Sequence, residues 1–379
     1  MSAGPIAESE YAIRIDRVRV ALAEAGLAGL IAYGAHREYH PADLRYLARW
    51  YCVEEETAAL FVPVSGPTTL VTDASWDVER ARAEAYADDV RYAPELGAGL
   101  ADLIADAGGR SAAIGIAGFS VFPTPDYLAL RERLPSATFP DASDLTAELR
   151  IVKSPTELDL MRAASRISDD AMRAGLAVIE DGAAETAVAA AAEAVIRSAG
   201  AEPSFVTEMG SGARTALGTF LPGERRLVSG ELAVLDCGAR VHGYHGDMCR
   251  TVVVGGPSAE QRRKLEAVEA AVETAIGRVR PGATVGEIRD AAAGSIAASG
   301  YGDSWWDAFM PHGNGAGQHE PPNAKDNPDM PLREGMVLCI EPGITLPGEG
   351  AVIIEQMIAV TSDGAEVLNR LPTNVWDRR

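Results

Sequence analysis

Cysteine is scarce in this chain of 379 residues: Cys52, Cys237, Cys249 and Cys339 are the full set, and no two are spaced C-x-x-C. That excludes a zinc knuckle and a disulfide framework, and predicts reduced core thiols in a cytoplasmic protein. No apolar run approaches the roughly 18 residues needed to span a bilayer. The N-terminal segment MSAGPIAESEYAIRIDRVRV has no apolar stretch of the kind a secretory leader carries. Basic residues are also few, 34 against 55 acidic ones, for a formal net charge of -21. Such a surface repels nucleic acid and anionic membranes, so neither is expected as a partner. What remains is a globular composition, 47% hydrophobic and 23% charged, in a chain long enough for two cores.

The first part of the chain alternates helical and strand patterns. Arg14–Ala25, Asp77–Ala87 and Pro125–Leu134 read as helices. Gly29–Tyr33, Ala58–Val64, Thr68–Val71 and Ser111–Ala117 read as strands. This predicts an α/β domain over residues 1–143, closed by the helix breakers Pro135 and Pro140. The second domain, residues 144–379, opens at Leu149-Arg150-Ile151-Val152-Lys153-Ser154-Pro155-Thr156-Glu157. Ser154 and Glu157 form a capping-box pattern there, and Pro155 fits the first helical position. Within it, Gly182-Ala183-Ala184-Glu185 leads through an alanine-rich helix to Ser198-Ala199-Gly200. Gly282-Ala283-Thr284-Val285 does the same up to Ala298-Ser299-Gly300. A hairpin-like segment follows each helix, Leu232–Val254 and then Met336–Val360. Two copies in step predict a duplicated α+β half-domain, not a solenoid.

Each hairpin carries two acids in an apolar setting. Asp236 follows Ala233-Val234-Leu235, with Asp247 eleven residues on; Glu341 follows Val337-Leu338-Cys339-Ile340, with Glu355 after Ile353-Ile354. A carboxylate at the end of a buried strand is costly unless something neutralises it. No arginine cluster accompanies the four acids in sequence, whereas two divalent cations would neutralise them outright. Asp247 alone would read as a turn residue, and Glu349 does. Between the hairpins lies Pro311-His312-Gly313-Asn314-Gly315-Ala316-Gly317-Gln318-His319-Glu320-Pro321-Pro322, whose glycines would let the backbone approach a metal closely.

These residues carry a family resemblance. The pattern D-x-G-x-x-x-x-G-Y-x-x-D-x-x-R-T from Asp236 to Thr251 resembles the first metal motif of the aminopeptidase P, prolidase and creatinase group. His312–Pro322 is similar to that group's H-G-x-G-x-x-x-H-E-x-P, and Glu341-Pro342-Gly343 with Glu355 to its last two acidic segments. Upstream, Arg14–Leu30 and Leu44-Arg45-Tyr46-Leu47 look like the creatinase-type N-terminal domain. The resemblance implies an α+β pita-bread catalytic domain with a smaller α/β N-terminal domain. It implies a pair of divalent metal ions: Asp236 on one, His312 and Glu341 on the other, Asp247 and Glu355 bridging. A water activated between the cations would attack the substrate. Glu341 would move protons and His319 would hydrogen-bond the developing oxyanion. Oxygen-rich ligation with one imidazole favours Mn, Fe or Co, with Zn as a further option.

The expected function is hydrolysis of an amide-like C–N bond, with an Xaa-Pro dipeptidase or aminopeptidase as the leading reading. A non-peptide hydrolase of the creatinase or ectoine-hydrolase type, or a lyase on the same scaffold, is the alternative; a silent binding protein is the second. The chain departs from the group's peptidases at Thr219 and Ala308, where histidines stand, at Ile353, an arginine, at Gln356, an aspartate, and at Thr345, a tyrosine. Trp305, Trp306 and Phe309 precede His312, and Trp306 and Thr219 are expected near substrate. The resemblance also implies a homodimer in which the N-terminal domain of one subunit caps the other's site. The segment His36–His40 with Arg45, Trp50 and Tyr51 is read as a polar-aromatic loop, with Arg37 and Arg45 holding a substrate carboxylate.

Overall fold

A computed structural model describes residues 4–35, 42–306 and 310–376. Its contacts divide the chain into two compact units, Pro5–Arg150 and Ile151–Arg379 with Met1–Gly4. The division falls inside the helix Ser143–Ile151. No described helix is long and apolar enough to cross a membrane.

The Pro5–Arg150 unit is built on a mixed five-stranded sheet in the order Asp89–Tyr92, Thr69–Thr72, Ala58–Pro63, Gly29–Gly34, Ile114–Ala117. The three central strands are buried at every position, so both faces of the sheet are covered, which is why they read as continuous apolar runs. One face packs Ile31, Phe61, Val71, Leu100, Ile104 and Ile116 into a core. The strand Asp89–Tyr92 and the helix Leu96–Asp106 were not expected from sequence.

The loop reading around Arg45 is corrected. Ala42–Ala48 is a helix, held by a buried ion pair between Asp43 and Arg150. The Arg14 guanidinium donates to the Tyr46 carbonyl at 2.9 Å and lies over the Tyr46 ring. Trp50, only 1% exposed, belongs to the core beneath Arg80. Arg45 is half-buried and stacked at 4.2 Å on Tyr51. Seven helical residues show too few turns for a periodic pattern to be read.

In the second unit the duplication is visible strand by strand. The helix Pro155–Val178 begins at the Ser154–Glu157 capping box, with Pro155 in its first turn. It packs against Glu185–Ser198, and Ala259–Ile276 packs against Val285–Ala298 in the same way one hundred positions on. Each expected hairpin is a nested pair. Leu232–Asp236 pairs with Cys249–Val253, while the inner strands Ala239–Val241 and Tyr244–His245 pair in a different sheet. In the second copy Val337–Ile340 pairs with Gln356–Val360, and the inner strands Gly343–Leu346 and Gly350–Ile353 again leave for another sheet. One apolar cluster, including Leu176, Val188, Leu235, Ile288, Leu338 and Ile358, joins both copies.

Candidate metal centre

The nesting places the acids. Asp236 ends the first outer strand of copy one, and Glu341 directly follows that of copy two. Asp247 and Glu355 precede the returning outer strands. Where the inner hairpin of copy one leaves the sheet, the chain must double back tightly. A Cβ on Gly238 would lie 2.0 Å from the Gly246 carbonyl oxygen, and one on Gly246 would meet Ser168 Oγ at 2.6 Å. Only glycine fits at either point.

The returning strands are tied across the copies by Arg250 and Thr251. Thr251 Oγ1 donates to the Ile353 carbonyl and accepts from the Ile353 N–H, both at 2.8 Å. The Glu355 N–H donates to the Cys249 carbonyl at 3.0 Å. Arg250, fully buried, gives its donors to the carbonyls of Cys249, Glu355, Leu371 and Pro372 and to Gln356 Oε1. A guanidinium thus does lie beside the acids, which sequence reasoning had not used, but it bonds carbonyls and not the carboxylates.

Asp247, His312 and Glu355 are brought together with Cys339: one donor atom from each lies within 4.8 Å of the others. Glu341 Oε1 stands 3.6 Å from His312 Nε2, and Glu355 Oε1 4.0 Å from it. These gaps are too long for hydrogen bonds. His312 Nδ1 faces the Gly313 carbonyl at 3.1 Å, which assigns the proton to Nδ1 and leaves the Nε2 lone pair toward the carboxylates. Asp236 Oδ1 and Glu355 Oε2 are buried without any hydrogen-bond partner. Orphaned carboxylate oxygens are costly, and a divalent cation is the partner that satisfies several at once. The donor set fits divalent metals.

The electrostatics agree. Burial, then repulsion from neighbouring acids, holds Asp236 and Glu355 well above the carboxylate range. Burial pushes Asp247 up to about 7, opposed by the hydrogen bond from Gln318. Burial and the Asp247 charge push Glu341 up to about 8. Burial lowers His312 to about 3, so it is a neutral donor. His319 is open to solvent on one side, yet burial of the rest of its ring lowers its pKa too. Its ring centroid is 4.1 Å from that of His312.

The glycines of the histidine loop make room for close packing. A Cβ on Gly313 would meet the Glu320 and Pro321 carbonyls, and one on Gly315 would meet Glu320 Oε1 at 2.4 Å and Lys153 Cε at 2.7 Å. They admit the buried Lys153–Glu320 pair, 2.8 Å apart, which pins the loop and which sequence reasoning missed. Lys153→Met is expected to destabilise the protein by about 3–5 kcal/mol, because the buried Glu320 charge would lose its cation. Adding Glu320→Gln should recover much of that. Urea midpoints decide it, and a single variant within about 1 kcal/mol of wild type would refute the role.

Among the residues expected near substrate, Trp306 packs on an apolar cluster of Phe220, Val234, Cys249, Ala351 and Ile353. Ile353 is therefore part of a wall where the family resemblance places an arginine. Thr219 is exposed beside Phe220. Arg37, Ala308 and Phe309 lie outside the described residues. A further acid, Glu208, was missed altogether; it is half-buried opposite Asp236.

Residues 159–362 match metallopeptidase family M24, and residues 14–152 match the creatinase/prolidase N-terminal domain. An Xaa-Pro dipeptidase of Pyrococcus horikoshii is 36% identical over 242 residues, 64% of this chain and 69% of that protein. Among solved structures, the prolidase from Pyrococcus horikoshii OT3 superposes with a TM-score of 0.85 at 27% identity, covering 96% of this chain and 99% of that one. Dipeptidase PepE from Mycobacterium ulcerans gives 0.84 at 30% identity over 98% of both. The second unit has the pita-bread fold of these enzymes, and the chain is a metal-dependent hydrolase. It belongs to metallopeptidase family M24.

Proposed function

We propose that the chain is a dinuclear Xaa-Pro dipeptidase in which Asp236, Asp247, His312, Glu341 and Glu355 hold two divalent cations. The observation that carries this reading is the pair of orphaned buried oxygens, Asp236 Oδ1 and Glu355 Oε2, among acids that form no ion pair with a described lysine or arginine. Bound cations there would supply a water of lowered pKa and Lewis acidity toward the scissile carbonyl. The chain's own groups do the rest. His312, kept neutral by burial, is fixed by Gly313. Glu341, 3.6 Å from His312 Nε2, is placed to take a proton and carry it to the leaving nitrogen. His319, neutral at pH 7, presents a ring N–H to the developing oxyanion.

Four buried free thiols suit a reducing cytoplasm. Oxygen donors with a single imidazole suit Mn, Fe or Co. The homodimer rests on the family resemblance alone. The non-peptide reading draws on one observation, the apolar Ile353 in the wall near Trp306. The test is turnover by metal-reconstituted protein of Xaa-Pro dipeptides against N-acyl and guanidino compounds. Cleavage confined to the latter would refute the dipeptidase.

His319→Ala is expected to keep its metals and lower kcat by roughly 100-fold, the usual loss for one oxyanion donor or proton-transfer group. An unchanged kcat would return His319 to a packing role against His312.

A further inference from the structure

Glu208 opens the strand Glu208–Ser211 and stands directly across from Asp236, whose other cross-strand neighbour is Cys249. Directly opposed residues on antiparallel strands share a face, with Cβ atoms about 4.5–5.5 Å apart. The Glu208 carboxylate therefore sits beside the metal centre, and its charge is felt at Asp236, Asp247 and Glu341. Unlike Asp247 and Glu355, which are 2% and 1% exposed, Glu208 is only half-buried. Its Oε2 accepts one long bond, 3.4 Å, from the N–H of the Thr219–Phe220 peptide.

A charge count singles it out. Two divalent cations balance Asp236, Asp247, Glu341 and Glu355, and His312 is neutral. Arg250, the buried guanidinium beside the acids, gives its donors to carbonyls and to Gln356 Oε1, with Asp169 as an opposite charge nearby. Lys153 is matched by Glu320. Glu208 is left as a further carboxylate beside the centre, without a cation of its own among the described ion pairs. Next to it is hydrocarbon: the Phe220 ring lies so close over Gly210 that a Cβ there would be 2.7 Å from it, and Gly210 is on the same strand face as Glu208. Val234, Cys249 and Ile353 continue that wall.

We propose that Glu208 is a specificity-determining residue that binds a protonated nitrogen of the substrate, the adjoining carbon chain lying on the Phe220–Ile353 wall. The inference rests on the dipeptidase reading and deepens it. The nitrogen is either the substrate's α-ammonium or a side-chain ammonium in its first residue. The two sources are separated by three substrates: Lys-Pro, norleucyl-Pro, which has the same carbon chain without the charge, and N-acetyl-norleucyl-Pro.

Glu208→Gln keeps the shape and removes the charge, and Glu208→Ser serves should the first variant fail to fold. With a side-chain ammonium, the variant raises KM for Lys-Pro by about 10- to 100-fold and leaves norleucyl-Pro unchanged, the size expected of one charge-assisted hydrogen bond. With an α-ammonium, it raises KM for both free dipeptides by that factor and leaves the acetylated one unchanged. In either case kcat and the content of two metal ions stay as in wild type. Unaltered substrate preferences would overturn the proposal, and so would loss of a metal ion from the variant, which would make Glu208 a ligand. Failure of the dipeptidase reading looks different: wild-type protein then cleaves none of the three, and the inference falls with it.

Discussion

Asp247→Ala or Glu355→Ala is expected to strip both metal ions from the purified protein and take turnover below detection. Asp247 is at the centre of the acid group: its charge is the largest electrostatic influence on Asp236, Glu341 and Glu355 alike. Glu355 is 1% exposed, reaches within 4.0 Å of His312 Nε2, and has one oxygen without a partner. On the bridging assignment a carboxylate in either place would be shared between two cations, so its loss would remove a ligand from both at once. The three remaining acids cannot neutralise two divalent charges in a buried site. Elemental analysis against protein concentration reads the outcome directly. Two ions in either variant would refute the bridging assignment. One ion in each would mean that the two positions serve different metals.

The second large effect is a reversal of pH dependence on metal loading. In metal-free protein Asp247 titrates at about 7 and Glu341 at about 8, both far above the 3.9 and 4.3 of unfolded Asp and Glu. A folded-state pKa that is raised contributes stability fully present below the unfolded pKa and lost as pH rises through the folded value. Each group therefore removes about 1.4 kcal/mol per pH unit until it has ionised. Between pH 6 and 8 the two together cost about 4 kcal/mol, or roughly 5 °C in Tm for a chain of this length. Bound cations keep the same carboxylates ionised, so the loaded protein should instead lose stability on acidification, as protons compete with metal. Thermal melts at pH 6 and 8, with chelator and with excess Mn(II), separate the cases. Equal slopes in both would mean that these acids hold no metal.

Much of this was legible because the relevant signals are local. An acid that ends an apolar strand is visible as such, and Asp236 and Glu341 stand out for that reason. The Ser154–Glu157 capping box lies within four residues and is formed as expected. The duplicated helices Glu185–Ser198 and Val285–Ala298 share their length and their flanking glycines. What escaped depends on partners distant in the chain. Glu208 begins a strand like any surface acid until the register sets it against Asp236. Lys153 and Glu320 meet across 167 positions. The helix Leu96–Asp106 was hidden by Gly97 and Gly99, which suggest a loop. Both are there for close packing: a Cβ on Gly97 would meet the Asp126 carbonyl at 2.4 Å, and one on Gly99 the Ala93 methyl at 2.3 Å.

The central claim is that this acid group is a two-metal hydrolytic centre. Its most direct test is a titration of chelator-stripped protein with Mn(II) while cleavage of an Xaa-Pro dipeptide is followed. The account predicts no turnover without metal and activity that reaches its plateau at two equivalents per chain. Turnover by the stripped protein, or a plateau at one equivalent, would contradict it.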